Sequence, residues 1–337
     1  MKTKLTKQTL IMASLLASTL MLSACTQPLK VRPATPLPPP EVTVPEISSP
    51  AASAPSIVAT RAATPLQAII MASFFNMLGP LLLGAAVADT IAGIVTVSPD
   101  EAVAVIGSGL AAAVIWNLLT WKRGLPSSSS HALVGGLVGA AIVEGGIHAV
   151  QWGGLDGWHP VGVFGVLIAL AISPVFGLLT ALIVIRLLRR LAHRATRKWI
   201  PVIGNSQWVT SATLAFSHGA NDAQKSVGII AALLLASGEI DSLETPAWVI
   251  PACSIALTLG TALGGWKIIR TVGQRIYRIS SVDGLASQSS SAGVIFGASL
   301  LGAPTSTTQV VASSVVGIGG GRRRWRHVNW AIVREMG

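Results

Sequence analysis

The sequence is short of charge. Only 11% of its 337 residues are charged, while 51% are hydrophobic. Soluble domains carry about a quarter charged residues. That shortage excludes an ordinary soluble domain, and with a mean hydropathy of +0.65 the chain reads as an integral membrane protein. Cysteine is almost absent. Cys25 and Cys253 are the only two, which leaves no disulfide framework and no metal-ligand spacing. Cys253 lies inside an apolar segment and reads as a small packing residue. Acids are outnumbered, giving a net charge of +11, yet this excess does not point to nucleic acid. The basic residues come in short runs between apolar segments, as membrane-flanking loops require. A phosphate loop is missing too, because "GIGGGRRRW" lacks the Lys-Ser/Thr ending and follows a membrane segment. His131 and His218 read as local hydrogen-bonding groups, with no metal site. The expectation is a protein that is not an enzyme and has no organic cofactor.

What is present is ordered along the chain. Residues 1–25 resemble a secretory signal. Lys2, Lys4 and Lys7 precede "LIMASLLASTLML", a stretch too short to span comfortably. The segment ends "LSAC", which puts Cys25 at the position of a lipidated residue. Residues 26–65 contain "PATPLPPPEVTVPEISSPAASAP", an extended Pro-rich linker without a core. From residue 66 apolar segments follow at about 66–97, 101–121, 131–146, 161–188, 207–237, 247–270 and 291–318. Some are full spans of roughly 20 or more residues. Others are half-length and broken by Gly, Pro and Ser.

The basic residues gather at 186–198, between Lys267 and Arg278, and at 322–326. The positive-inside rule places all of these in the cytoplasm. The acidic loop "GEIDSLETP" fits the outside. Segment 207–237 then runs out and 247–270 runs back. Segment 291–318 both starts and ends inside, so it must enter and return. Its middle, "GAPTSTTQ", is a helix breaker followed by hydroxyl residues. This predicts a re-entrant hairpin with its tip at Pro304–Thr308, and non-helical backbone at that depth must line a cavity or be buried in protein.

The feature is repeated. "GLPSSSSHALVGGLVG" (124–139) aligns with "GAPTSTTQVVASSVVG" (302–317) without gaps, at an offset of 178. The first hairpin, about 101–146, opens outside by the same charge argument. One hairpin therefore enters from each side, which is an inverted-topology repeat. The fold class expected is an all-α membrane protein with two re-entrant helical hairpins. Its repeats would be 66–188 and 207–337, joined by a basic cytoplasmic loop at 189–206, in a multi-pass arrangement in the inner (plasma) membrane.

Each tip places hydroxyls at a helix start, where they can cap the helix. The free N–H groups and the positive dipole end attract an anion. Ser128, Ser129 and Ser130 from one tip and Ser306, Thr307 and Thr308 from the other would cradle a small tetrahedral oxyanion, with Asn221 beside them. Next comes "SHGANDAQKSVG" (217–228) inside an apolar run. Asp222 in a span is costly unless paired, and by default functional. Asp222 and Asn221 offer oxygens to a hard cation such as Na⁺, or Asp222 relays a proton. Lys225 is near enough to offset the acid, and Gly219 suits an unwound turn. Asn76, in "FFNMLG", either touches this site or bonds a neighbouring helix. The bland readings stand beside these. Asp222 and Lys225 are spaced for a structural i,i+3 ion pair, and Ser/Thr-rich tips can be small-residue packing.

At these motifs the chain resembles the inorganic phosphate transporter family, whose G-A-N-D signature "SHGANDAQKSVG" matches. "GLPSSSSHALVGG" and "GAPTSTTQVVASSVVG" are similar to its two hairpin tips. The resemblance runs from about Leu66 to the end. It implies uptake of inorganic phosphate, free or as a metal–phosphate complex, coupled to H⁺ or Na⁺ at the interface of two inverted repeats. "GANDAQK" is closer to the bacterial low-affinity, proton-coupled branch. Membrane lipid is the other implied partner, nucleic acid is not, and a homodimer is left open. Departures from the pattern carry expectations of their own. The family has its Asn-Asp motif in each half, but the position 178 residues before Asp222 falls in the Pro-rich linker. The chain also ends at "NWAIVREMG", as a last span begins. Together these read as a transporter core with a replaced N-terminus and a truncated C-terminus: an ion-coupled phosphate symporter, or a partial or non-functional copy of one. The alternatives are a membrane-anchored lipoprotein without transport activity, or a carrier of another tetrahedral oxyanion such as sulfate.

Overall fold

A computed structural model describes residues 57–58, 60, 62–84, 86–95, 99–123, 128–156, 159–191, 193, 199–242, 245–275, 280–323, 325–328 and 330. The signal-like segment, Cys25 and most of the Pro-rich linker lie outside the described residues. What is described is almost entirely helical. The chain runs through α1 (Pro65–Leu83), α2 (Ala86–Ala92), α3 (Pro99–Arg123), α4 (Ser129–Gly145), α5 (Gly162–Leu191), α6 (Trp199–Ala236), α7 (Val249–Arg275), α8 (Ser281–Leu300) and α9 (Thr307–Gly321). Leu155–Asp156 pairs with His159–Pro160 as a minimal antiparallel ribbon before α5.

Local chemistry sets the helix limits. Thr64 caps α1 in a reciprocal capping box with Gln67, and Pro65 follows at the first helical position. The apolar run expected at 66–97 is divided at Gly84, whose φ of +81° only glycine adopts readily. Ser280 caps α8 in a second capping box with Asp283. Helix α8 therefore begins ten residues before the apolar segment that starts at 291. Helix α5 runs to Leu191 and α6 starts at Trp199, so the basic segment 189–206 is helical at both ends.

Helix α6 is central: α1, α2, α7 and α8 all pack on it. Two apolar cores flank it. One joins α2, α3, α4 and the first half of α5, through Val105, Val134, Leu137, Val166 and Leu170. The other joins the second half of α5 to α8 and α9, through Ile185, Ile295, Val310 and Ile318. Helix α6 contributes Ile229 to the first and Leu214 to the second. The site residues 218–225 lie on α6 between those two leucine and isoleucine anchors.

Helices Pro65–Leu83, Glu101–Thr120 and Gly162–Leu191 are long and apolar enough to cross a membrane. On α5 the large side chains Phe164, Ile168, Val175, Phe176 and Ile183 face outward. Between helices in lipid, apolar burial supplies no driving force, so close packing and hydrogen bonds must. Gly79 of α1 and Gly219 of α6 meet this need. A Cβ at Gly79 would run into the Phe216 carbonyl, and one at Gly219 into the Asn76 carbonyl. Helix α6 is continuous through Gly219, so this glycine serves close backbone approach and not an unwound turn.

Candidate functional site

The two aligned blocks begin helices at equivalent positions. Helix α4 starts at Ser129 after N-cap Ser128, and α9 starts at Thr307 after N-cap Ser306. Each pair is 178 residues apart. Helix α3 packs on α4, and α8 on α9, although α9 packs chiefly against α5. The starts of α4 and α9 touch directly. Ser130 Oγ donates to the Thr305 carbonyl at 3.0 Å, between groups that are both buried.

Helix α6 brings its polar cluster to this meeting point. The Lys225 ammonium donates to Asp222 Oδ1 at 2.6 Å, to Ser130 Oγ at 2.7 Å and to the Thr305 carbonyl at 2.7 Å. An ammonium has three protons, so all are used. The other carboxylate oxygen of Asp222 accepts from Thr307 Oγ1 at 3.2 Å and lies 3.5 Å from His218 Nδ1, one turn earlier. One lysine thus links α6, the start of α4 and the break before α9.

Asn221 fixes the break itself. Its Oδ1 accepts from the Thr305 backbone N–H and hydroxyl, each at 3.1 Å. Its Nδ2 donates to Ser299 Oγ at 3.0 Å and to the Ala303 carbonyl at 3.3 Å. The break also turns at Gly302, with φ +69°, whose carbonyl accepts from Thr90 Oγ1 at 2.8 Å. Buried irregular backbone needs such partners.

The two N-caps differ. Ser128 Oγ accepts from the His131 N–H at 3.3 Å, the usual capping bond. Ser306 makes no capping bond. It is 2% exposed, and its hydroxyl has no hydrogen-bond partner among the described residues. Buried hydroxyls are normally satisfied, and this one lies at the start of α9, the positive end of that helix.

The sequence-predicted residues therefore fall into groups. Ser130, Thr307, Asn221, Asp222 and Lys225 share one hydrogen-bonded cluster, with Ser306 buried beside Thr307. Ser129 and Thr308 flank these contacts, Ser129 exposed and Thr308 half-buried. Asn76 Nδ2 donates to Thr261 Oγ1 of α7 at 3.2 Å, so its amide ties neighbouring helices. Thr305 and Ser299 join the polar framework without having been singled out, alongside Gln224 of the polar run. Thr305 acts mainly through its backbone, Ser299 is a buried helical serine, and Gln224 accepts from the Val87 N–H at 2.9 Å. Side-chain patterns do not reveal a backbone acceptor. "NDAQK" does hold Gln224, as part of the polar run.

The sequence profile of the Phosphate transporter family matches residues 48–337. The chain belongs to this family. A "probable low-affinity inorganic phosphate transporter" of Rhizobium meliloti (strain 1021) is 37% identical over 284 residues, covering 80% of each chain. One of the same description from Bacillus subtilis (strain 168) is also 37% identical over 284 residues, covering 83% of this chain and 82% of its own. Among solved structures, "the sodium-dependent phosphate transporter" superposes with a TM-score of 0.73 at 28% identity, over 85% of this chain and 88% of that one. These relatives are transporters and not enzymes. As a family member with spanning apolar helices, the chain is an all-helical membrane protein of phosphate transport.

Proposed function

We propose that the chain moves inorganic phosphate across the inner membrane together with a cation, H⁺ or Na⁺, and that the anion binds where the starts of α4 and α9 converge. Ser306 carries this reading. Its buried hydroxyl, without a hydrogen-bond partner among the described residues, stands at the start of a helix of 15 residues, where N–H groups and dipole favour an anion. Ser128, Ser129 and Thr308 supply further hydroxyl protons around it, Ser130 and Thr307 would turn theirs from the Thr305 carbonyl and Asp222 to the bound anion, and Asn221 keeps the break in place. Asp222 is the cation side of the same site. The repeated blocks favour two re-entrant hairpins entering from opposite faces, in repeats 66–188 and 207–337, as midplane transporter sites are built.

The test is phosphate uptake by the reconstituted chain and its Ser306→Ala variant. A hydrogen bond to a charged group is worth about 1.5–3 kcal/mol, or roughly tenfold or more in affinity. Ser306→Ala should raise the phosphate concentration for half-maximal uptake by that factor, with folding unchanged because no bond is lost. Equal affinity in both proteins would remove Ser306 from the anion site. Sulfate competing as well as phosphate would favour a broader oxyanion carrier.

A further inference from the structure

The Lys225 ammonium is surrounded as a hard cation would be. Its three neighbours are a carboxylate oxygen, a hydroxyl oxygen and a backbone carbonyl, at 2.6, 2.7 and 2.7 Å. They come from α6, from the start of α4 and from the break before α9. Carboxylate, hydroxyl and carbonyl oxygens are the donor types that hard cations take. Lys225 is 4% exposed, so the charge at the centre is buried and held by fixed groups.

We propose that Lys225 is a resident cation: its ammonium fills a site that would otherwise bind sodium, and Lys225 thereby determines which ion this protein uses. The inference rests on the reading of Asp222 as the cation side of the transport site. An ammonium in this position neutralises Asp222, ties both helix starts together and leaves no room for a metal ion at the same oxygens. The wild-type chain therefore needs no sodium at this point. Shortening the side chain keeps the Asp222, Ser130 and Thr305 oxygens, deletes the positive charge and opens space for an ion.

Thermal unfolding of the purified full-length protein, followed by tryptophan fluorescence, tests this. Wild type, Lys225→Ala and Asp222→Ala/Lys225→Ala are each compared in sodium chloride and choline chloride at equal ionic strength. Ligands that bind only the folded state raise its stability. Wild type should show the same Tm in both salts. Lys225→Ala should have a lower Tm in choline and regain several degrees in sodium. The double variant should lose that sodium response, because the carboxylate is gone. Should Lys225→Ala fail to survive purification in choline, its recovery in sodium alone is the same positive result, and its loss in both salts overturns the proposal. A wild type stabilised by sodium as strongly as Lys225→Ala overturns it also. Inorganic phosphate added to wild type reports separately on the anion site. A phosphate-induced Tm rise without a sodium response in Lys225→Ala refutes the resident cation and leaves the transport reading standing. The reverse pattern refutes the anion site and keeps the cation site.

Discussion

Replacing Asp222 with Asn separates a coupling carboxylate from a structural one. The substitution leaves the Lys225 ammonium buried with neutral acceptors only, Ser130 Oγ, the Thr305 carbonyl and the amide oxygen at position 222. Removing one partner of a buried ion pair costs about 3–5 kcal/mol. The Asp222 side chain is 13% exposed, and the ammonium keeps its hydrogen bonds to neutral oxygens, so the low end applies, about 3 kcal/mol. For a chain of this size that lowers Tm by on the order of 6 °C. Asp222→Asn/Lys225→Gln removes both charges and should recover most of the loss, since neutral replacement of a buried pair is often tolerated. The decisive assay is concentrative phosphate uptake in proteoliposomes under an imposed proton or sodium gradient. If Asp222 couples transport, the double variant is stable but does not accumulate phosphate. Recovery of stability and accumulation together would reduce the pair to a structural staple and refute the coupling role.

Other expectations follow from the same contacts. Asn221→Ala strips the buried Thr305 N–H of its acceptor, and a group left so costs about 1–3 kcal/mol. Thermal melts should show that loss, with weaker phosphate affinity because the break before α9 loosens; an unchanged melt would contradict the bonding described. Gly219→Ala drives a methyl into the Asn76 carbonyl, an overpacking that costs about 1–3 kcal/mol or more. Gly204→Ala, on the same helix with nothing near an added Cβ among the described residues, should be neutral or stabilising in the same measurement. Equal effects of the two substitutions would mean that α1 and α6 do not approach closely at Gly219.

Much of this protein is written in local pattern. Low charge, apolar runs of spanning length and basic flanks are one-dimensional signals, and they suffice for a helical membrane protein. The Gly-x-Pro and hydroxyl blocks are local too, because a helix break and an N-cap depend on neighbouring residues. That is why the helix starts at Ser129 and Thr307 fall at matched places in the two blocks. Asp222 drew attention for a similar reason, as a carboxylate in lipid demands a partner wherever it sits.

Tertiary packing decided the rest. Gly219 looked like an unwinding point, but glycine also permits close contact, and only the position of α1 selects between the two. Residues 281–290 lie before the apolar segment expected from 291, and they are helical and largely buried. They form a helix because Ser280 and Asp283 cap it and because α6 presents polar partners such as Thr210, which donates to Gln288 Oε1 at 2.6 Å. Asn76 read equally well as a site residue or a helix tie, and its amide bonds Thr261, 185 residues away. Above all, the sequence could pair Lys225 with Asp222, three residues before it, because one helical turn fixes that distance. It could not bring Ser130 or the Thr305 carbonyl to the same ammonium across 95 and 80 residues. Contacts between distant segments depend on how whole helices pack, and no local periodicity encodes that.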